Sequence, residues 1–310
     1  MLRRMLLALS DSGGTKEMVQ SAPLTRGLVH RFVAGETPSA ALGTAGRLLT
    51  RGLAVGLDPL VEDTLSRDRA AAVRDIYVDL LRRSRALGAP EGAVDVSVKL
   101  SAVGQFLPRH GEKTALENAH AICAAAAGSG ATVTLETEDH TTTESTLAIA
   151  RELRADFPTV GVVLQSRLRR TEGDCRELTG AGVRVRLSKG AYAEQESVAF
   201  AHRAETDRSF VRCLRMLMAG DGHPVIATHD ARLLRISAAL AARYERPLGS
   251  YEYQMLYGVA PEQQTRLAAG GETVRVHVPY GAEWYGYFLR RLAEQPSNLA
   301  FFLRSAASRD

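Results

Sequence analysis

Val94-Asp95-Val96-Ser97-Val98-Lys99, then an amphipathic stretch over residues 113–127, then Thr132-Val133-Thr134-Leu135-Glu136 decide the reading of this chain. Two short β-branched runs flank a stretch of helical length and periodicity, the pattern of a βα unit leading into a second strand. The alternation extends both ways. Further strand-like runs lie at 53–57, 161–165, 183–187, 224–228, 250–254 and 274–278, and helical stretches at 68–87, 143–155, 171–179, 204–219, 231–242, 261–269 and 283–294. Eight such units in one unbroken series close into a barrel, whereas a doubly wound sheet usually stops at five or six strands. The sequence therefore predicts an α/β fold, a (β/α)8 TIM-type barrel over residues 51–310. Residues 1–50 read as N-terminal helices, broken at Gly35-Glu36-Thr37-Pro38, that form an arm or cap.

Composition agrees with one large core. Hydrophobic residues make up 45% and charged residues 24% of the 310, values of an ordinary globular domain. The formal charge of +4, from 39 basic and 35 acidic residues, is spread thinly and leaves no electrostatic footprint for nucleic acid. Cys123, Cys175 and Cys213 are far apart and odd in number, which points to free thiols in a reducing compartment. Residues 1–9 carry two arginines and a short apolar run, but the polar stretch 10–16 interrupts it before signal-peptide length. No run approaches the eighteen or so apolar residues of a membrane span. The expectation is a soluble cytoplasmic protein.

In a barrel of this kind, chemistry gathers at the C-terminal ends of the strands. Those ends are polar here: Lys99 and Ser101; Glu136, Glu138, Asp139 and His140; Gln165 and Ser166; Arg186, Lys189, Gly190 and Tyr192; Thr228, His229 and Asp230; Glu252 and Gln254. Each has a bland alternative. Taken alone, Lys99 reads as a solvated strand end and His229-Asp230 as a turn with a helix cap, while the acidic trio reads as turn and N-cap material as readily as a functional group. Their coincidence at one end of a barrel favours a site. No metal set emerges, because neither a His-x-His pair nor spaced His/Cys ligands are present. A GxGxxG fingerprint and a phosphate loop are also missing.

On the last helix, Tyr287, Arg290, Arg291 and Glu294 are three and four residues apart and share a face. Two adjacent guanidinium groups suit a carboxylate, with Glu294 bracing Arg290. The alternative is a surface salt-bridge ladder.

Together these residues resemble the proline dehydrogenase family, from about residue 31 to the C-terminus. The resemblance is carried by Val98-Lys99-Leu100-Ser101, Val163-Leu164-Gln165-Ser166, Arg186-Leu187-Ser188-Lys189-Gly190-Ala191-Tyr192 and Ala227-Thr228-His229-Asp230. It continues through Tyr251-Glu252-Tyr253-Gln254-Met255-Leu256-Tyr257-Gly258 and Val278-Pro279-Tyr280-Gly281 to the arginine pair. It implies non-covalent FAD across the barrel mouth and oxidation of L-proline to Δ1-pyrroline-5-carboxylate, with electrons passed to a quinone or other acceptor. Gln165, Lys189, Gly190, Ala191, Thr228, His229 and the Thr137 backbone would contact FAD. Arg186 would sit beside the flavin as a catalytic group with Glu136. Lys99, Tyr287, Arg290 and Arg291 would bind substrate.

This chain departs from the family pattern at Glu136, where Asp is usual, and at His277, where Tyr is usual. It departs also at Arg167, where an aromatic is common, and at Leu60-Val61-Glu62 in place of Leu-Gly-Glu. A related flavoenzyme acting on a hydroxylated or N-substituted amino acid, or on a hydrazine-type amine, is the alternative. A non-catalytic amino-acid-binding barrel ranks below both. The expectation of a cytoplasmic protein includes a peripheral position at the inner face of a membrane while electrons are delivered to the acceptor.

Overall fold

The computed structural model describes residues 29–180 and 182–294. Its strands are β1 (Ala54–Pro59), β2 (Val94–Lys99), β3 (Thr132–Glu136), β4 (Gly161–Gln165), β5 (Arg184–Ser188), β6 (His223–Ala227), β7 (Glu252–Leu256) and β8 (Val274–Tyr280). Each pairs in parallel with the next, and β8 pairs with β1, so the barrel is closed. Helix α1 (Pro38–Leu49) precedes β1. The layer outside the sheet is formed by α2 (Arg67–Ser84), α3 (Gly111–Ala127), α4 (Thr143–Leu153), α5 (Thr171–Glu177), α6 (Arg203–Ala219), α7 (Ala231–Arg243), α8 (Pro261–Ala269) and α9 (Trp284–Glu294). The sequence boundaries of β2, β3 and β4 coincide with the observed ones; the other strands shift by one or two residues.

The two-residue period of β2 explains why a charged lumen and an apolar outer core coexist. Val94, Val96 and Val98 turn outward into a core with Tyr77, Leu80 and Ile122, while Asp95 and Ser97 reach Arg186 of β5 across the lumen. Each aliphatic side chain withdrawn into that outer layer contributes roughly 1.5–3 kcal/mol. Ser66 caps α2 by accepting from the Arg69 N–H, and Asp230 caps α7 through the N–H groups of Arg232 and Leu233.

Glu252 is a correction. Expected at the C-terminal end of its strand, it instead opens β7 and lies at the other end of the barrel. The preceding residues cannot extend the strand. Gly249 turns the chain at φ 82°, and Arg246 holds the Ser250 carbonyl at 2.6 Å while also binding the carbonyls of Gly220 and Gly222. Glu252, 2% exposed, closes the barrel floor with Arg275 (2.8 Å), Arg184 (3.2 Å) and His223 (3.8 Å). Burial opposes its ionisation, but Arg275, His223 and Arg184 outweigh this and hold the carboxyl well below the usual range.

Within the N-terminal stretch, α1 packs against β1 and β8. Val29, Phe32 and Val33 cluster with Trp284, Tyr285 and Phe288 of α9. The Ala34 N–H donates to the Pro279 carbonyl (2.9 Å), and Trp284 Nε1 donates to Glu36 (2.9 Å). Residues 1–28 of the expected arm lie outside the described residues.

Candidate active site

The mouth is organised around Arg186. From β5 its guanidinium crosses the lumen: Nη1 donates to Glu136 Oε1 (2.5 Å) and Ser97 Oγ (3.0 Å), and Nη2 to Asp95 Oδ2 (3.1 Å). Asp95 is wholly buried, and it also accepts from Thr132 Oγ1 (2.7 Å) and Thr134 Oγ1 (3.0 Å). A buried ion pair is tolerable only when its remaining hydrogen bonds are satisfied, and the two threonines of β3 do this for Asp95. Glu136 is the less buried carboxylate, with a side chain 23% exposed. Lys99 stands beside it in register on β2. Two expected catalytic groups and an expected substrate contact therefore meet at one end of the barrel.

The neighbouring strand ends form a second group. Gln165 Nε2 donates to the carbonyls of Thr137 (2.9 Å) and Glu138 (2.6 Å), and Thr137 Oγ1 to the Val163 carbonyl (2.9 Å). Gly190 adopts φ 94°, and a Cβ there would stand 2.6 Å from Gln165 Oε1. Only glycine fits that position without displacing the glutamine. Lys189 is held by Asp207 (2.6 Å) and Asp230 (3.1 Å), so two carboxylates offset its charge. His229 Nε2 accepts from the Leu256 N–H (2.9 Å), which leaves the ring proton on Nδ1. Thr228 Oγ1 accepts from the Asp230 N–H (3.2 Å).

Two further carboxyls diverge according to which effect dominates. At Glu138 burial wins, despite a hydrogen bond from Ser101, and with Asp63 nearby the carboxyl is raised. At Asp58 burial loses to His277, Lys99 and Arg186, and the carboxyl is lowered. The loop after β5 is tied to the loop after β3 by Glu194, which accepts from the His140 N–H (2.9 Å) and contacts its Nδ1 (2.5 Å). Asp139 accepts from the N–H groups of Thr141 and Thr142 and is turn material, as its bland reading had it.

Tyr287 is buried in the first turns of α9 with Trp284 and Phe288. Arg290 and Arg291 lie on the same helix after β8, and their side chains are outside the described residues. Sequence reasoning missed Asp95, Ser97, Asp58 and Asp207. Asp95 and Ser97 carried a signal, as polar residues alternating with valine inside a strand. Asp207 carried none, since it reaches Lys189 from a helix.

A closed (β/α)8 barrel with buried, hydrogen-bonded charges converging on its C-terminal mouth defines the chain as an enzyme barrel. Residues 41–304 match the family model for proline dehydrogenase. Over 304 residues the chain is 35% identical to proline dehydrogenase 1 of Bacillus subtilis, covering 98% of each. It is 37% identical over 279 residues to the proline dehydrogenase of Deinococcus radiodurans, covering 89% of each. Among solved structures, proline utilization A from Bdellovibrio bacteriovorus superposes with a TM-score of 0.80 at 25% identity, over 88% of this chain and 33% of that one. The chain thus spans about a third of that larger protein. It belongs to the proline dehydrogenase family.

Proposed function

We propose that this chain oxidises L-proline to Δ1-pyrroline-5-carboxylate with bound FAD, the cofactor of its family. Two features of the mouth fit that group. The backbone at Gly190 is bare where a Cβ would meet Gln165, and the buried Nε of Arg186 donates to no protein acceptor among the described residues. When bound, FAD supplies the acceptor for a hydride leaving the carbon beside the amine. In this reading Thr137, through its backbone, Gln165, Lys189, Gly190, Ala191, Thr228 and His229 hold the cofactor.

The remaining work falls to Arg186 and the groups around it. Flanked by Asp95 and Glu136, Arg186 offers a fixed N–H donor more than a net positive field. Arg290 and Arg291 bind the substrate carboxylate, with Lys99 and Tyr287 bordering the pocket. The substrate nitrogen must be neutral before hydride leaves. Glu136, which gives Oε1 to Arg186, has Oε2 left for the amine proton. The observation that carries the reading is the meeting of Lys99, Glu136 and Arg186 at one mouth. Purified protein should be yellow, and anaerobic L-proline should bleach its flavin absorbance; persistence of the oxidised spectrum rejects the assignment.

A second reading keeps the flavin and replaces proline with a hydroxylated or N-substituted amino acid or a hydrazine-type amine. It is favoured by the Asp58–His277 pair, 3.0 Å apart in the lumen. Glu136→Asp combined with His277→Tyr should then raise proline turnover, and unchanged selectivity removes the idea. We assign residues 51–310 to the catalytic barrel and 1–50 to an N-terminal helical arm or cap. A quinone or other acceptor would take the electrons, with the protein in the cytoplasm or at the inner membrane face. No helix among the described residues is long and apolar enough to cross a membrane.

A further inference from the structure

The loop after β5 leaves and returns to the same place. The Lys189 carbonyl accepts from the Arg167 N–H (3.0 Å), and the Phe200 N–H donates to the Arg167 carbonyl (2.9 Å). The Arg169 N–H donates to the Val198 carbonyl (2.9 Å), and Leu168 bridges Ala199. Residues 190–197 therefore form a flap with a fixed root, a surface loop whose two ends meet. Part-way out, Arg167 Nη1 donates to the Tyr192 carbonyl (2.9 Å). At the tip Glu194 turns inward. Its side chain is 2% exposed, with Oε1 accepting from the His140 N–H (2.9 Å) and Oε2 meeting His140 Nδ1 (2.5 Å). A carboxylate only accepts, so Nδ1 carries the proton whether the ring is neutral or charged. Burying a carboxylate is costly unless its oxygens are satisfied, and here one residue of the loop after β3 satisfies both.

We infer that His140 and Glu194 form a clasp that holds this flap at the cofactor seat, and that both are positioning residues for FAD. The clasp completes a ring of contacts. Gln165 Nε2 donates to the Thr137 and Glu138 carbonyls on one side. On its other side lies Gly190, where a Cβ would stand 3.2 Å from the Gln165 Cβ. The chain from Thr137 leads to His140 and the chain from Gly190 leads to Glu194, and the clasp joins the two. Thr137, Gln165 and Gly190, three of the residues assigned to FAD above, thus belong to one closed circuit over the ends of β3, β4 and β5. Opening the clasp frees the flap tip while the root stays on residues 167–169, and Gly190 and Ala191 lose their fixed outer end. The effect falls on how long FAD is retained. This inference rests on FAD occupying the mouth as proposed above.

The flavin-loaded protein provides the test. Glu194→Ala removes both hydrogen bonds, and the rate of FAD release after dilution, read from the rise of free-flavin fluorescence, should increase on the order of 10- to 100-fold. His140→Ala keeps the backbone donor and should raise the rate about 5- to 10-fold. His140→Asn carries an N–H donor on its own Cγ, as the ring does at Nδ1, and should return release to within about threefold of wild type. On the Glu194→Ala background, His140→Ala should add nothing, because its partner is already gone. Amide exchange at His140 should quicken at least about tenfold in Glu194→Ala. A contact that merely braces a surface loop would quicken exchange and leave FAD release unchanged. Unchanged release in Glu194→Ala, additive effects in the double variant, unaltered exchange at His140, or an Asn variant releasing FAD as fast as the Ala variant would each overturn the inference. Wild-type protein that takes up no FAD would overturn the cofactor reading and this inference with it, whereas equal release rates would overturn the inference alone.

Discussion

Asp95→Asn replaces one oxygen by an amide nitrogen at the point where Arg186 is anchored. Wholly buried, Asp95 accepts from Thr132 Oγ1, Thr134 Oγ1 and Arg186 Nη2. Asparagine has a single acceptor oxygen, so either the guanidinium or a threonine hydroxyl must face its NH2 group. Losing a charge-assisted hydrogen bond costs about 1.5–3 kcal/mol, and breaking a buried pair outright about 3–5 kcal/mol. Arg186 keeps Glu136 at 2.5 Å and Ser97 at 3.0 Å, so the smaller figure governs and roughly 2–3 kcal/mol is expected. For a chain of this size each kcal/mol moves the melting midpoint by about 1.5 °C, giving a fall of about 3–5 °C. Released on one side, the guanidinium swings toward Glu136, and kcat for L-proline should drop about 10- to 100-fold. The flavin should remain stoichiometric. Thermal melts, the flavin-to-protein absorbance ratio and steady-state turnover with an artificial acceptor read all three. A midpoint within 1 °C of wild type (about the error of a melt) together with unchanged kcat would refute Asp95 as the anchor.

Gly190→Ala forces a Cβ to within 2.6 Å of Gln165 Oε1 at φ 94°, and the protein should purify with at least about tenfold weaker flavin retention, read from its absorbance ratio. Glu252→Gln removes the anion shared by Arg275, Arg184 and His223 and should cost about 3 kcal/mol at neutral pH. Because the folded carboxyl is depressed, its stabilisation is fully present above the unfolded value near 4.3 and is lost as pH falls through the folded one. Melts between neutral and acid pH should therefore slope more steeply in wild type than in the variant. Arg291→Ala should raise the KM for L-proline on the order of 100-fold with flavin retained, since a desolvated carboxylate loses a charged partner; unaltered kinetics would remove the clamp.

The barrel was legible because eight β-branched runs recur between helical stretches, and local periodicity carries that information. The polar strand ends were legible for the same reason. Which end a residue occupies was less secure: Glu252 changed ends because Gly249 and Arg246 keep the preceding residues out of the strand. Contacts made only by closure were invisible. His277 and Asp58 are 219 residues apart and meet because β8 pairs with β1. Lys189 is paired by Asp207 of α6 and by Asp230 at the N-cap of α7, and nothing near it in the sequence marks either contact.

Groups from separate strands converge on one mouth, which we propose holds a flavin and a cyclic amino acid. A crystal structure of the flavin-loaded protein with a non-oxidisable proline analogue tests it most directly. The analogue's carboxylate should lie within salt-bridge distance of Arg290 and Arg291, with its ring beside Lys99 and Glu136. An analogue bound at the Glu252–Arg275 end, or a flavin seated away from Gln165 and Gly190, would contradict the account.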